Sequence, residues 1–278
     1  VLVSARVSDR SYSRYLRLGW IVRRTLRRLT AVGARSAADA ERFCALGAHP
    51  DRVSVTGDLK IDLDQERRPM SQDLDRVVGH RSLFVAGSTH DGEESAALDA
   101  LRYIESKGLE VSLVLAPRHT ERTPRIARLV RAAGWKPRLR SALTAVPLQR
   151  NEVLVLDTVG ELAPLYARAD VAFVGGSLVP VGGHNVIEPI LAGRPVVYGR
   201  HTANIRHVVE ILGECGAGRM VSDAADLGRA VVALLMEPER ARSAAERGHV
   251  ALMRHRGSGE RTGALIERVI TAASIGAS

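Results

Sequence analysis

Short apolar runs of strand length alternate with helical stretches through most of this chain. Leu83 to Ala86, Val111 to Ala116, Glu152 to Leu156 and Val171 to Val174 each stop at a polar or glycine-containing break and give way to a helical pattern. The predicted helices run from about Gly92 to Ser106, to about Ala133, and to Ala169. Pro195 to Tyr198 reads as the next strand, followed by a helix through Leu212, a short strand near Met220-Val221, alanine-rich helices from Asp226 onward and an amphipathic stretch from Thr262 to Ala273. Strands alternating with helices predict a parallel, doubly wound α/β sheet with right-handed crossovers. Ligands of such sheets bind at the carboxyl ends of the strands, where the polar breaks fall.

The first part of the chain has the same rhythm in shorter form. Val1 to Ser4 reads as a strand already under way, so the chain is expected to be the later part of a longer protein. Thr30 to Ala34 is a short strand, Ser36 an N-cap, Ala37 to Leu46 a helix closed by Gly47, and Val53 to Thr56 another strand. Between Asp64 and Arg76 the composition turns polar around Pro69, which reads as an interdomain linker.

The densest chemistry lies between Val171 and Asn204. Gly175-Gly176-Ser177 follows a buried-type strand, and Gly182-Gly183 leads through His184 and Asn185 into a helix carrying Glu188 and ending near Gly193. Glycines admit close backbone approach, and a helix N-terminus offers N–H groups to an anion, so the combination suits a phosphate. Glu188 is placed to accept hydrogen bonds from ribose hydroxyls. His184 either stabilises a departing phosphate or is structural, and Asn204 is either a ligand or a helix cap.

Other loops on the same sheet edge add candidates. Ser88, Thr89 and His90 present hydroxyl, N–H and imidazole donors, or simply cap the next helix. Arg118 offers a planar fork for phosphate or carboxylate beside His119, or is an ordinary surface charge. Asp157 to Leu162, including Thr158, Gly160 and Glu161, is at its plainest a strand-to-helix turn.

Composition constrains the rest. With 278 residues there is room for two modest α/β domains, and 45% hydrophobic and 26% charged residues describe an ordinary globular chain. A net charge of +9 fits either anionic partners or an arginine-biased surface. From Arg14 to Arg28, arginines interleave with Tyr15, Leu16, Leu18, Trp20, Ile21 and Val22, the pattern of a basic amphipathic helix on an anionic membrane or of a surface helix covering a sheet. No nucleic-acid motif accompanies these arginines. Cys44 and Cys215 have neither metal-ligand nor disulfide-framework spacing, which fits a reducing compartment. No signal peptide and no apolar run of about 18 residues is present.

The string GGSLVPVGGHNVIEP from Gly175 to Pro189 resembles the nucleotide-binding signature of the 3-deoxy-D-manno-octulosonic acid (Kdo) transferases, and the resemblance runs along nearly the whole chain. Ser4 to Ser11 is similar to that family's NARLSERS, with Ser4 in place of the first Asn. Thr56 to Asp62 resembles TGNLKFD with two changes, and GSTH, PRH and DTxGEL recur at Gly87 to His90, Pro117 to His119 and Asp157 to Leu162. The resemblance implies a GT-B fold with Rossmann-like parallel sheets, in which the chain holds the complete C-terminal donor domain and the second half of the N-terminal domain. It places residues 1–57 in the acceptor domain, 58–76 in the linker, 77–256 in the donor domain, and 257–278 in a terminal helix crossing back.

It further implies transfer of Kdo from CMP-Kdo to a lipid A precursor, lipid IV-A, with inversion, no metal ion and no cofactor. The catalytic base would be a carboxylate of the preceding acceptor half. Donor contacts would come from Ser88, Thr89, His90, Arg118, His119, Thr158, Gly160, Glu161, Gly176, Ser177, Gly182, Gly183, His184, Asn185, Glu188 and Asn204. The expected location is the cytoplasmic face of the inner membrane, held peripherally through Arg14 to Arg28. Two other functions suit the same residues: a CMP-sugar-binding module without turnover, and another GT-B enzyme acting on a UDP-sugar.

Overall fold

A computed structural model of the chain describes residues 1–62, 69–144 and 146–275. In chain order the first part holds β1 (Leu2–Ala5), α1 (Asp9–Arg17), α2 (Gly19–Leu26), β2 (Val32–Ala34), α3 (Ala37–Ala45), β3 (Val53–Val55) and α4 (Leu59–Asp62). Then follow α5 (Gln72–Val78), β4 (Ser82–Thr89), α6 (Glu93–Ser106), β5 (Val111–Pro117), α7 (Thr123–Ala132), β6 (Lys136–Leu139), β7 (Glu152–Val155), α8 (Leu162–Arg168) and β8 (Val171–Val174). The remainder comprises α9 (Ile187–Leu191), β9 (Val196–Gly199), α10 (Arg206–Glu214), β10 (Gly218–Val221), α11 (Ala224–Met236), α12 (Pro238–Met253) and α13 (Ser258–Ile275). These elements form two compact units, Val1–Asp64 with Leu252–Ser278, and Gln65–Ala251.

The first unit is built on a parallel three-stranded sheet ordered β1-β2-β3. Its core gathers Val7, Leu26, Val32, Phe43 and Leu46. Ser36 caps α3 by accepting from the Asp39 amide, and Asp39 in turn accepts from the buried Val7 N–H at 3.0 Å. Helix α13 is fastened here. Asp62 accepts from the Gly257 amide (2.9 Å) and the Ser258 hydroxyl (2.6 Å), and Arg261 donates to the Thr56 carbonyl (3.1 Å). Burial opposes ionisation of Asp62, yet bonds from Ser258, Gly259 and Gly257 and the charge of Arg261 hold its carboxyl below the ordinary range.

The second unit contains a seven-stranded parallel sheet in the order β10-β9-β8-β4-β5-β7-β6. Its inner strands β4, β5, β7, β8 and β9 are apolar on both faces, as strands covered by helices on both sides are. Phe84, Leu113, Leu115 and Phe173 meet Leu98, Leu101 and Ile104 of α6 and Leu227 and Val231 of α11 in one continuous core. From β4 the chain adds β5 and then the edge strand β6, sets β7 between those two, and returns to lay β8, β9 and β10 on the other side. The order therefore reverses between β4 and β8, and a doubly wound sheet opens its ligand crevice at that point.

The α/β, parallel reading holds, three local expectations are corrected, and one strand was not expected. The basic segment is two helices separated at Leu18-Gly19, not one. β4 extends through Thr89, so Gly87 to Thr89 end a strand and do not form a loop; the register shifts there, with Ser88 at φ 55°. Residues 59–62 and 72–76 of the expected linker are helical, the latter within α5, which buries Leu74, Val77 and Val78, and residues 63–68 lie outside the described residues. Strand β6 carries Lys136, Pro137 and Arg138 and has no apolar signature, as an edge strand permits.

Candidate functional site

At the strand-order reversal, the end of β4 faces the glycine-rich segment after β8. A Cβ on Gly175 would lie 2.6 Å from the Ser88 carbonyl oxygen, so only glycine lets the two backbones approach this closely. A carboxylate joins them. Glu93, fully buried in the first turn of α6, accepts from His90 N–H (2.9 Å) and Gly176 N–H (2.7 Å) through Oε2. Its Oε1 accepts from Ser177 N–H (3.0 Å) and Leu178 N–H (2.9 Å).

This changes the expected role of the glycine loop. The Gly176 and Ser177 N–H groups, read from the sequence as phosphate donors, are already bound to an internal anion. The Ser177 side chain is also internal: its hydroxyl donates to Val174 O (2.6 Å) and accepts from Gly199 N–H (2.8 Å) with no surface exposed. Gly183 N–H goes to Gly176 O (2.6 Å) and His184 N–H to Gly175 O (3.1 Å), while Gly182 O accepts from Asn204 N–H (2.7 Å). Asn204 Nδ2 binds Val181 O (3.0 Å) and so ties down the turn at Gly182.

What the clamp presents is a group of imidazoles from three loops. His90 Nε2 and His184 Nε2 lie 2.8 Å apart. Their planes are 7° from parallel with centroids 5.0 Å apart, which exceeds the N···N distance by about two ring radii: the rings lie end to end along one N–H···N bond. His119 approaches His90 edge-on, centroids 5.8 Å apart, and its Nδ1 lies 3.4 Å from Glu121. Burial holds the His90 imidazolium below its ordinary range; His119 and Arg122 act in the same sense, Glu93 and Glu94 against it.

The other expected residues divide between surface and interior. Arg118 is exposed, its backbone N–H bound to Thr89 O (3.0 Å). The Ser88 side chain is half-buried at the same strand end. Thr89 is corrected from a candidate ligand to an internal residue, its hydroxyl buried and donating to Glu94 at 2.8 Å. Glu94 in turn takes a two-pronged contact from Arg122, at 2.8 and 3.0 Å. Glu161 is held by Arg140 (2.6 Å) and by the Thr158 hydroxyl, and Asp157 accepts from Ser141 N–H (2.8 Å). Asp157, Thr158, Glu161 and Gly160, at φ 93°, lie on the loop after β7, held to Arg140 and Ser141 from the segment after β6. Asn185 donates to Glu188 Oε1 (2.9 Å) and accepts from Ile187 N–H (3.2 Å), fixing the Glu188 carboxylate in the first turn of α9.

Glu93, Glu94, Arg122 and Tyr166 escaped sequence reasoning. Acidic residues after Gly92 look like ordinary first-turn carboxylates favoured by the helix dipole. Tyr166 is fully buried and its hydroxyl has no hydrogen-bond partner among the described residues; a Cβ on Gly87 would sit 2.1 Å from it. Burial first, then the charge of Glu188, pushes its phenol well above the ordinary range.

Comparison with known proteins sets this geometry in context. Residues 1–63 match the model of the 3-deoxy-D-manno-octulosonic-acid transferase (kdotransferase) domain. The 3-deoxy-D-manno-octulosonic acid transferase of Haemophilus influenzae is 32% identical over 94% of this chain and 62% of its own length. That of Bordetella pertussis is 33% identical, over 94% and 61%. This chain thus spans about three fifths of the length of these relatives. Among solved structures, the C-terminal CMP-Kdo binding domain of WaaA from Acinetobacter baumannii superposes with a TM-score of 0.58 at 30% identity, covering 63% of this chain and 91% of that domain. Anabaena Alr3699/HepE in complex with UDP and glucose gives a TM-score of 0.60 at 13% identity over 94% of this chain and 68% of its own, a likeness of fold alone. The fold is α/β of the GT-B glycosyltransferase type.

Proposed function

This chain belongs to the 3-deoxy-D-manno-octulosonic acid (Kdo) transferase family, and on that premise we propose that it binds CMP-Kdo and serves transfer of Kdo to a lipid A precursor, lipid IV-A. The observation that carries the reading is the convergence of His90, His119 and His184 at the β4–β8 reversal, with Glu188 held by Asn185, in a chain similar to a CMP-Kdo binding domain. In this reading Arg118 and the imidazoles attract the donor's phosphodiester and carboxylate, Glu188 accepts from the ribose hydroxyls, and the departing CMP is stabilised by positive charge and N–H donors. Attack by the acceptor hydroxyl inverts the anomeric carbon, without a metal ion or cofactor.

The acceptor is a lipid, so the reaction takes place at the cytoplasmic face of the inner membrane. One surface supports peripheral attachment there: Trp20 is 73% exposed, and Leu16, Leu18 and Ile21 stand open among the exposed arginines Arg14, Arg17, Arg23 and Arg24.

The test is CMP-Kdo consumption with lipid IV-A as acceptor, by this chain and by the chain extended with a relative's acceptor half. Consumption by the extended protein supports transfer. Binding of CMP without consumption in either form reduces the function to nucleotide-sugar binding. A preference for UDP over CMP in competition points to a different GT-B activity.

A further inference from the structure

The His90–His184 contact restricts protonation. At 2.8 Å, one ring nitrogen must offer a lone pair to the N–H of the other, because two N–H groups cannot face each other at that distance. The pair therefore holds at most one excess proton while the contact stands, and its protons belong to the pair, not to either ring. An oxyanion reverses the constraint: placed between or in front of the two nitrogens it accepts from both, and the ring that was the acceptor then gains an Nε2 proton, either by shifting its own Nδ1 proton or by taking one from solvent.

We infer that binding of a phosphate oxyanion at this crevice separates the His90–His184 bond and brings a proton with it, so that donor affinity is coupled to proton uptake. The inference rests on the donor-site reading above.

The surroundings leave the pair as the group able to respond. Glu93 points its carboxylate at four backbone N–H groups, and Glu94 is committed to Arg122 and Thr89. Asp91 is ion-paired to Arg125 at 3.0 Å and lies 3.6 Å from Arg122. Glu188 on α9 is engaged by Asn185, and His119, beside Glu121, approaches only the edge of the His90 ring. The local carboxylates are thus occupied, and burial together with the charge of Arg122 disfavours a charged His90 until an anion arrives. The sign follows from linkage. A ring whose affinity for a proton rises on binding strengthens binding at low pH, and affinity falls about tenfold per pH unit between the free and the bound titration points.

The probe is the methyl ester of CMP, a phosphodiester with no proton of its own to exchange near neutrality. Calorimetry at about pH 7.5 in two buffers of different ionisation heat should report uptake of about one proton per ligand. The His90→Gln/His184→Gln double variant should bind more weakly with uptake near zero. Ring ¹⁵N spectra of the intact protein supply a second reading, with one more imidazole of the pair cationic after ligand is added than before. Binding without proton uptake, uptake that persists in the double variant, or an unchanged neutral pair in the complex overturns the coupling and leaves the donor site standing. Failure of the probe to bind the unaltered chain overturns the donor reading itself.

Discussion

Replacing Glu93 by alanine removes the single acceptor of the His90, Gly176, Ser177 and Leu178 N–H groups. Each buried donor left unsatisfied costs about 1–3 kcal/mol. With water entering the vacated space to serve roughly half of them, the net loss is about 2–6 kcal/mol, a large share of the roughly 5–15 kcal/mol that stabilises a domain. Glutamine makes the sharper test because it keeps size and shape. Each carboxylate oxygen serves two N–H groups, so one end of the amide still accepts while its NH₂ confronts the other two donors. Glu93→Gln is therefore expected to cost about as much as alanine, at least about 2 kcal/mol, although it is nearly isosteric. Urea denaturation of the full chain reads this as a lower midpoint at unchanged slope. A Glu93→Gln protein within about 1 kcal/mol of the parent would refute the view that the glycine loop is built around an internal anion.

Four further outcomes are expected. Tyr166→Phe deletes a buried hydroxyl with no partner, so it should be neutral or stabilising by up to about 1 kcal/mol; a clear loss in thermal midpoint would mean that the hydroxyl is bonded in solution. Because the Asp62 carboxyl is held below its ordinary value of 3.8, its contribution is present above that pH and is lost as pH falls through the depressed value; amide exchange at Gly257 and Gly259 should accelerate there, and in Asp62→Asn it should be fast at all pH. Glu188→Ala should weaken CMP binding by about tenfold with the fold intact, and unchanged affinity by calorimetry would remove it from the site. Binding to vesicles containing anionic lipid should weaken with salt and with Trp20→Ala; binding that ignores both would make α1 and α2 an ordinary surface.

Much of the architecture was legible because burial on both faces writes itself into composition. Val171 to Val174 is a strand with the boundaries its apolar run marks, and the helix after it carries Glu188 as the pattern indicated. Where a residue's partner lies far along the chain, the sequence was silent. Gly176 and Ser177 do line the crevice loop, but the anion they bind is a side chain 83 and 84 positions away. No local pattern distinguishes that glutamate from its neighbours at a helix start. Thr89 alternates inward only because a register shift at Ser88 lengthens β4, and β6 hides behind Lys136, Pro137 and Arg138 since an edge strand needs no apolar run. His90 and His184 stood out as candidates from their loops, whereas their shared hydrogen bond depends on the β4–β8 pairing, which periodicity does not specify.

The fastening of α13 to Asp62 sets an order of events during synthesis. Gly257 reaches back across 195 positions to that carboxylate, whereas the unit from Gln65 to Ala251 is one uninterrupted stretch. A ribosome working from the amino end completes that stretch first, and β1, β2 and β3 emerge long before the helix that locks their neighbour α4 has been made. The seven-stranded unit can close while still tethered to the ribosome, and the three-stranded one waits for the last helix. Until then Gly57 to Asp62 lacks its covering partner, so a truncation before Ser258 leaves the seven-stranded unit whole and the first unit unfinished.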